Sequence, residues 1–189
     1  GILHHRLFEC ASAEIQRPVR LQSLGARDIQ DMLCGYSKLE VYDKVVLEGL
    51  ARRSVRIMDK HDPKHLKTRP SVVSPFLCSS GSVEVNDNFK IDGPPSLSWL
   101  LECFLTLPVS LPILDMLFTA ATDYALLNIA RAPKKLLRPE DFVKFTHKFS
   151  LGAQKGCAAA AHGLATLSGP IYSFCQGRLP PDKLRRIAR

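Results

Sequence analysis

Several kinds of functional site are missing from this 189-residue sequence. It contains no G-x-S-x-G nucleophile turn, no Walker A loop and no dinucleotide-binding glycine fingerprint. The glycine-containing segment 79–82 is followed by neither a helix start nor a lysine, and segment 152–156 follows no predicted strand. The sequence therefore predicts no enzyme, no cofactor and no small-molecule substrate.

Metal-binding patterns are absent as well. No C-x-x-C pair occurs, and no cysteine lies at metal-ligand spacing from a histidine. His61 and His65 are four residues apart, as in a two-histidine site, but lysines crowd the stretch and a solvated basic surface explains it better. The six scattered cysteines favour free thiols in a reducing compartment over a disulfide framework. They are Cys10, Cys34, Cys78, Cys103, Cys157 and Cys175.

Long apolar runs are also missing. A membrane-spanning helix needs roughly 20 consecutive apolar residues. The best candidate, residues 97–117, is interrupted by Glu102, Pro108, Pro112 and Asp115. The sequence therefore predicts no membrane span.

Positive charge is what the sequence has in excess. The formal net charge is +8 at pH 7, while 46% hydrophobic and 23% charged residues are ordinary for a folded protein. A basic protein attracts polyanions. The alternative is a generic basic surface, which many mitochondrial matrix proteins have. Because the charge is clustered along the chain, we favour a polyanionic partner.

Apolar residues with helical spacing predict a first helical hairpin. Asp28 is the expected N-cap of a helix whose apolar stripe is followed, after a turn at residues 40–42, by a second helix from about Asp43 to Lys60. The first stripe contains Ile29, Met32, Leu33, Tyr36 and Leu39, and the second contains Leu47, Leu50, Ala51, Ser54, Val55 and Met58.

Two further hairpins are predicted between residues 96 and 176. Ser96 is the expected cap of a helix that pairs with residues 113–130. A helix starting at Pro139 is expected to stop at Gly152, and the next, from residue 153 to 167, at Gly169-Pro170. The first helices of these hairpins carry Leu97, Leu100, Leu101, Phe104 and Leu105, and Phe142, Phe145 and Phe149.

The remaining segments have different patterns. Residues 1–23 are an N-terminal extension without a clear period, and residues 24–67 hold the first hairpin and the start of a degenerate repeat at Asp62. Residues 68–95 are rich in proline and predict an irregular insertion, with a small β-hairpin over residues 82–91. Residues 177–189 form a basic tail.

The first helices share a weak internal repeat, which predicts an all-α fold, specifically an α-solenoid of helical hairpins. An irregular helical bundle is the alternative, because any two amphipathic helices share this spacing. The matched positions are Asp28, Ile29, Met32 and Tyr36 against Asp141, Phe142, Phe145 and Phe149.

Residues 24–39 resemble the first helix of heptatricopeptide-type repeats, and residues 46–53 (VLEGLARR) resemble the second helix. Such repeats occur in octotricopeptide proteins, FAST-kinase-domain proteins and RAP-domain proteins of organelles. The resemblance implies an RNA-binding helical repeat in the mitochondrial matrix, with the plastid as the alternative. No RAP-type domain is recognisable near the C-terminus.

Basic clusters are the candidate RNA contacts, because lysine and arginine bind phosphates with release of counterions. Arg52, Arg56 and Lys60 form a column opposite the apolar stripe of their helix, with Arg53 beside it. No aromatic residues are interleaved with the basic ones, so we expect backbone binding and no base readout. The candidate residues are Arg52, Arg53, Arg56, Lys60, Lys64, Lys67, Arg69, Lys134, Lys135, Arg185 and Arg186.

The predicted function is therefore a structural, rRNA-binding component of a mitochondrial ribosome, with neighbouring ribosomal proteins as further partners. The rival is a protein-contacting structural subunit of an organellar respiratory or ATP synthase complex.

Overall fold

A computed structural model describes residues 2–40, 42–60, 94–131, 139–176 and 178–180 of the chain. These residues form eight α-helices and no strand, which confirms the predicted all-α class for them. The predicted β-hairpin over residues 82–91 and the degenerate repeat beginning at Asp62 lie outside the described residues. The helices are α1 (Ile2–Ile15), α2 (Pro18–Ser23), α3 (Ala26–Leu39), α4 (Lys44–Lys60), α5 (Pro94–Thr106), α6 (Leu111–Arg131), α7 (Pro139–Gln154) and α8 (Ala158–Cys175).

From α3 onward the helices pack in pairs and in two rows. α3 packs against α4, α5 against α6, and α7 against α8. In addition, α3 contacts α5 and α5 contacts α7, while α4 contacts α6 and α6 contacts α8. The odd-numbered helices therefore form one row and the even-numbered helices the other. The core lies between the rows and includes Leu50, Phe118 and Phe149, each completely buried.

The N-terminal extension, for which the sequence showed no period, is helical. Pro18 opens α2, a position where proline loses no helical hydrogen bond. Leu21 of α2 lies against α4, and the Ser12 hydroxyl of α1 lies 3.2 Å from the Tyr36 hydroxyl of α3. These contacts cover one flank of the first hairpin.

Three helices begin in the same register. The expected N-cap, Asp28, is instead the third residue of α3, where its carboxylate accepts the Gly25 backbone N–H at 2.8 Å. Ser96 is likewise the third residue of α5, because Pro94 and Pro95 fit the first turn and extend the helix backwards. Asp141 is the third residue of α7. Both capping predictions were therefore wrong by a few residues, although the matched positions keep a common register.

The starts of α4 and α6 are set by the residues just before them. The Asp43 carboxylate accepts the N–H groups of Val45 and Val46 at 2.9 and 3.2 Å, so the helix starts where it was predicted. α6 begins at Leu111, two residues before the prediction, because Pro112 is compatible with a first turn.

α7 ends later than predicted. Gly152 was expected to stop the helix, but it is buried inside it, and α7 continues to Gln154. The stop is Gly156, whose φ of +87° is a left-handed conformation that glycine adopts without strain. The N–H of Gly156 donates to the Ala153 carbonyl at 2.9 Å, and that of Cys157 to the Gly152 carbonyl at 3.1 Å. This pair of bonds is a Schellman motif.

α8 runs through the proline that was expected to end it. Pro170 lies inside the helix, which continues to Cys175. A proline inside a helix costs about 3 kcal/mol. Ile171 and Cys175 are completely buried and extend the stripe that includes Leu167, so burial of apolar surface offsets the lost hydrogen bond.

The first turn of α8 is capped from another hairpin. The Asp115 carboxylate of α6 accepts the backbone N–H of Ala159 at 2.9 Å and the Cys157 thiol at 3.0 Å. These two donors, the Ala159 amide first, lower the pKa of Asp115. Burial and this carboxylate raise the pKa of the Cys157 thiol to about 11, so it remains a neutral donor.

α6 is also long and apolar enough, by length and composition, to cross a membrane. Residues Leu111–Ala130 have a mean hydropathy of 1.3, and 50% of the window is buried inside the protein. α6 packs against α4, α5 and α8. Central helices of helical cores satisfy the same criterion, so its position in the core accounts for its hydropathy.

Candidate nucleic-acid interface

The outer face of α4 carries two of the predicted RNA-binding residues. Arg52 and Arg56 are exposed, whereas Leu47 and Leu50 of the same helix are buried. The predicted outward orientation of these two arginines is confirmed, and their contact with RNA stays a prediction. Lys60, the third member of the column, is the last residue of α4.

Arg53 does not share this exposure, contrary to the sequence prediction. Its residue surface is only 4% exposed, and its Nε donates to the Leu24 carbonyl oxygen at 2.9 Å. Burial, followed by repulsion from Arg56, lowers the pKa of Arg53. The guanidinium still ties α4 to the junction between α2 and α3. The sequence did not indicate this role because α2, which packs on this flank, showed no helical period.

The other predicted RNA-binding residues lie outside the described part of the chain, and the structure does not test them. They are Lys64, Lys67, Arg69, Lys134, Lys135, Arg185 and Arg186.

A second basic surface, which the sequence did not predict, lies in a groove between α5 and α7. The groove has a volume of about 290 Å³ and is lined by Ser98, Trp99, Glu102, Lys144, His147 and Lys148. We call it the α5–α7 groove. Trp99 is 41% exposed there, and Lys144 and His147 are exposed as well. An aromatic side chain therefore does lie beside basic residues, contrary to the expectation from the sequence.

The two lysines of this groove differ in their ion pairing. Lys148 Nζ lies 2.8 Å from Glu102 Oε1, and its side chain is 13% exposed. Lys144 has no ion-pair partner among the described residues. Since the Glu102 charge is balanced by Lys148, Lys144 gives the groove a net positive charge.

The groove could be found in the sequence only by combining two helices. Trp99 lies on α5 between buried Leu97 and Leu100, so it must point outward. Lys144, His147 and Lys148 have the i, i+3, i+4 spacing of one face of α7. Their proximity depends on the packing of α5 against α7, which no local pattern encodes.

A concavity between α4 and α6 is less suited to binding an anion than the α5–α7 groove. It has a volume of about 510 Å³ and is lined in part by Asp59 and Asp123, both of them exposed. These two carboxylates would repel a phosphate.

Thiol and metal chemistry find little support in the described residues. Cys34 and Cys103 face each other across α3 and α5 with their sulfurs 4.0 Å apart. Burial, with a smaller effect of Cys34, raises the pKa of Cys103 to about 12, so its thiol is a poor nucleophile. Within the described part of the chain, no group of three or more His, Cys, Asp or Glu residues could hold a metal ion.

No protein-family model, curated protein or solved structure matches this chain.

Proposed function

We propose that this protein is an RNA-binding α-solenoid that holds ribosomal RNA in a mitochondrial ribosome through contacts with phosphates. The exposed pair Arg52 and Arg56 on the outer face of α4 is the observation that carries the proposal.

The arrangement of helices supports the solenoid. In such folds each hairpin contacts mainly its neighbours along the stack. Here the odd and even helices each contact the next member of their own row. The first helices also share a register, in which the fourth and eleventh residues are buried. These residues are Ile29 and Tyr36 in α3, Leu97 and Phe104 in α5, and Phe142 and Phe149 in α7.

The surface of α4 supports phosphate binding. Neither Arg52 nor Arg56 has an ion-pair partner among the described residues, so both guanidinium groups are available to an anion. Arginine binds phosphate oxygens in a bidentate manner, and each contact releases counterions. In sequence, four more basic residues follow Arg56: Lys60, Lys64, Lys67 and Arg69.

The proposed location in a mitochondrial ribosome rests on the resemblance of residues 24–39 and 46–53 to organellar helical repeats. The net charge of +8 agrees with a role beside ribosomal RNA.

A second candidate is a protein-contacting subunit of an organellar respiratory or ATP synthase complex. One observation favours it: α8 contains no Lys, Arg, Asp or Glu over its 18 residues, and Tyr172 on its outer side is 40% exposed. A helix face without charge suits a protein partner.

The test is an RNA-binding titration of the double variant Arg52→Gln, Arg56→Gln at several salt concentrations. We expect weaker binding to unrelated RNA sequences and a slope of log K against log salt that is flatter by roughly 1.5, at about 0.7–0.9 per lost contact. The free energy of unfolding should change by less than about 0.5 kcal/mol, because both side chains are on the surface.

The adjacent arginine provides a matched control. Arg53→Gln removes the same charge as Arg52→Gln, but it breaks the buried bond to the Leu24 carbonyl. It should lower the free energy of unfolding by about 1–3 kcal/mol and leave the salt slope unchanged. If the folded double variant kept its affinity and its salt slope, the protein-contacting candidate would replace the RNA-binding one.

A further inference from the structure

Trp99 is exposed although its size would normally place it in a core. It is the only tryptophan of the chain and is 41% exposed on α5. Its indole has no aromatic partner among the described residues. An exposed large aromatic side chain beside cations is a feature of binding surfaces.

The groove combines two kinds of interaction at one place. The Trp99 indole offers a flat surface on which a nucleobase can stack. The Lys144 ammonium, on the other wall, offers a positive charge to a phosphate. The volume of about 290 Å³ is at the lower limit of small-ligand sites, which are roughly 300–1,000 Å³. It therefore fits one nucleotide better than a larger ligand.

We infer that the α5–α7 groove binds one unpaired nucleotide of a single-stranded RNA, with its base stacked on Trp99 and its phosphate held by Lys144. This inference rests on the proposed function and adds to it, since phosphate contacts on α4 alone would not distinguish single-stranded from paired RNA. A base inside a duplex cannot reach the indole because it is already stacked on both sides.

A phosphorylated peptide is the other anion that the groove could attract. Phosphopeptide sites are built from clusters of arginine, which binds phosphate in a bidentate manner. None of the six residues lining the groove is an arginine. A phosphate group also makes no use of the indole face. Both observations favour a nucleotide.

The single tryptophan allows binding at this groove to be observed directly. We would titrate the protein with single-stranded oligouridine and oligoadenosine, and with an RNA duplex of equal length, while recording tryptophan emission. Stacking of a base on Trp99 should quench the emission with the single strands, whereas the duplex should leave it nearly unchanged.

Variants then connect the groove with affinity, measured by the fluorescence anisotropy of labelled RNA. Trp99→Ala should weaken binding of the single strands by roughly 5- to 150-fold, the effect of losing one stacked base. Trp99→Phe should retain much of the affinity, because the ring can still stack. Lys144→Gln should weaken binding and flatten the salt slope by about 0.7. Tyr172→Ala removes a similarly exposed aromatic ring from α8 and should leave affinity unchanged.

The outcomes separate this inference from the proposed function. The groove site alone is overturned if Trp99→Ala binds RNA with normal affinity and RNA does not quench the wild-type tryptophan emission, while the double variant Arg52→Gln, Arg56→Gln binds RNA weakly. No binding of any RNA overturns both. Quenching by a phosphopeptide and by no oligonucleotide overturns the groove site in favour of a protein ligand. Circular dichroism of each variant checks that it is folded. If Trp99→Ala is not folded, the wild-type emission decides, because a lack of quenching by the single strands overturns the groove site.

Discussion

The first and the last hairpin share a register but pack in different ways. In α3 and α4 the buried residues are mainly aliphatic, such as Leu33 and Leu50, and α4 is strongly charged on its outer face. In the last hairpin, α7 buries three phenylalanines, and α8 buries small residues such as Ala160 and Gly163 and contains no Lys, Arg, Asp or Glu. One hairpin register therefore accommodates two kinds of buried side chains and two kinds of surface.

The space around the glycines also differs between the two hairpins. A Cβ atom added at Gly163 of α8 would lie 2.4 Å from Phe149 Cε1 and 2.4 Å from Thr122 Oγ1. Gly35 of α3 has no such neighbour within 4 Å. At Gly163 the backbone of α8 therefore approaches an aromatic ring closely, whereas the backbone of α3 at Gly35 borders open space.

The largest expected loss of stability comes from truncating a buried side chain in each hairpin. Phe149→Ala should cost about 3–5 kcal/mol, because its ring lies 4.8 Å from the rings of both Phe118 and Phe145 and the cavity would remain partly open. Leu50→Ala should cost about 2–5 kcal/mol. Chemical denaturation of both variants measures the two losses. A loss under about 0.5 kcal/mol at either position would show that the residue does not face a core.

Substitutions of glycine by alanine should change the stability in opposite directions in the two hairpins. Gly163→Ala should destabilise the protein by about 1–3 kcal/mol, because Phe149 and Thr122 must move. Gly35→Ala, the matched control in a helix with open space, should stabilise it by up to about 1 kcal/mol through higher helix propensity. Thermal unfolding of the two variants tests the contrast. Equal effects would mean that the surroundings of Gly163 are no tighter than those of Gly35.

A smaller effect is expected at the cap of α8. Asp115→Ala should cost about 0.5–2 kcal/mol, and Asp115→Asn less, because the amide oxygen can still accept the Ala159 N–H. The pKa of Asp115 is lowered in the folded protein, so its charge adds stability above the unfolded pKa of about 3.9. That contribution disappears as the pH falls through the folded pKa.

Denaturation at several pH values checks this sign. The stability difference between the wild type and Asp115→Asn should be constant near neutral pH and shrink below about pH 4. Parallel pH profiles for the two proteins would show that the carboxylate charge is not important for the cap.

Much of the helical pattern could be predicted from the sequence, because periodic apolar residues are local signals. The start of α4 after Asp43 and the burial of Leu50 are examples. The continuation of α8 past Pro170 could not be predicted, since it depends on burial against α6 and α7.

The candidate site was less predictable for the same reason. Exposure of Arg52 and Arg56 followed from their angle around α4, whereas burial of Arg53 required knowledge of α2. The α5–α7 groove required two helices from different hairpins to be placed side by side. Local signals locate helices, and contacts between hairpins decide which charged residues remain at the surface.

The cap that Asp115 gives to α8 has a consequence for the order of assembly. Because the acceptor for the Ala159 amide comes from α6, the first turn of α8 is completed only when the last hairpin docks on the one before it. Docking and helix nucleation are thereby coupled at one end of the molecule. Exchange of the Ala159 amide hydrogen with solvent then reports directly on separation of the two hairpins.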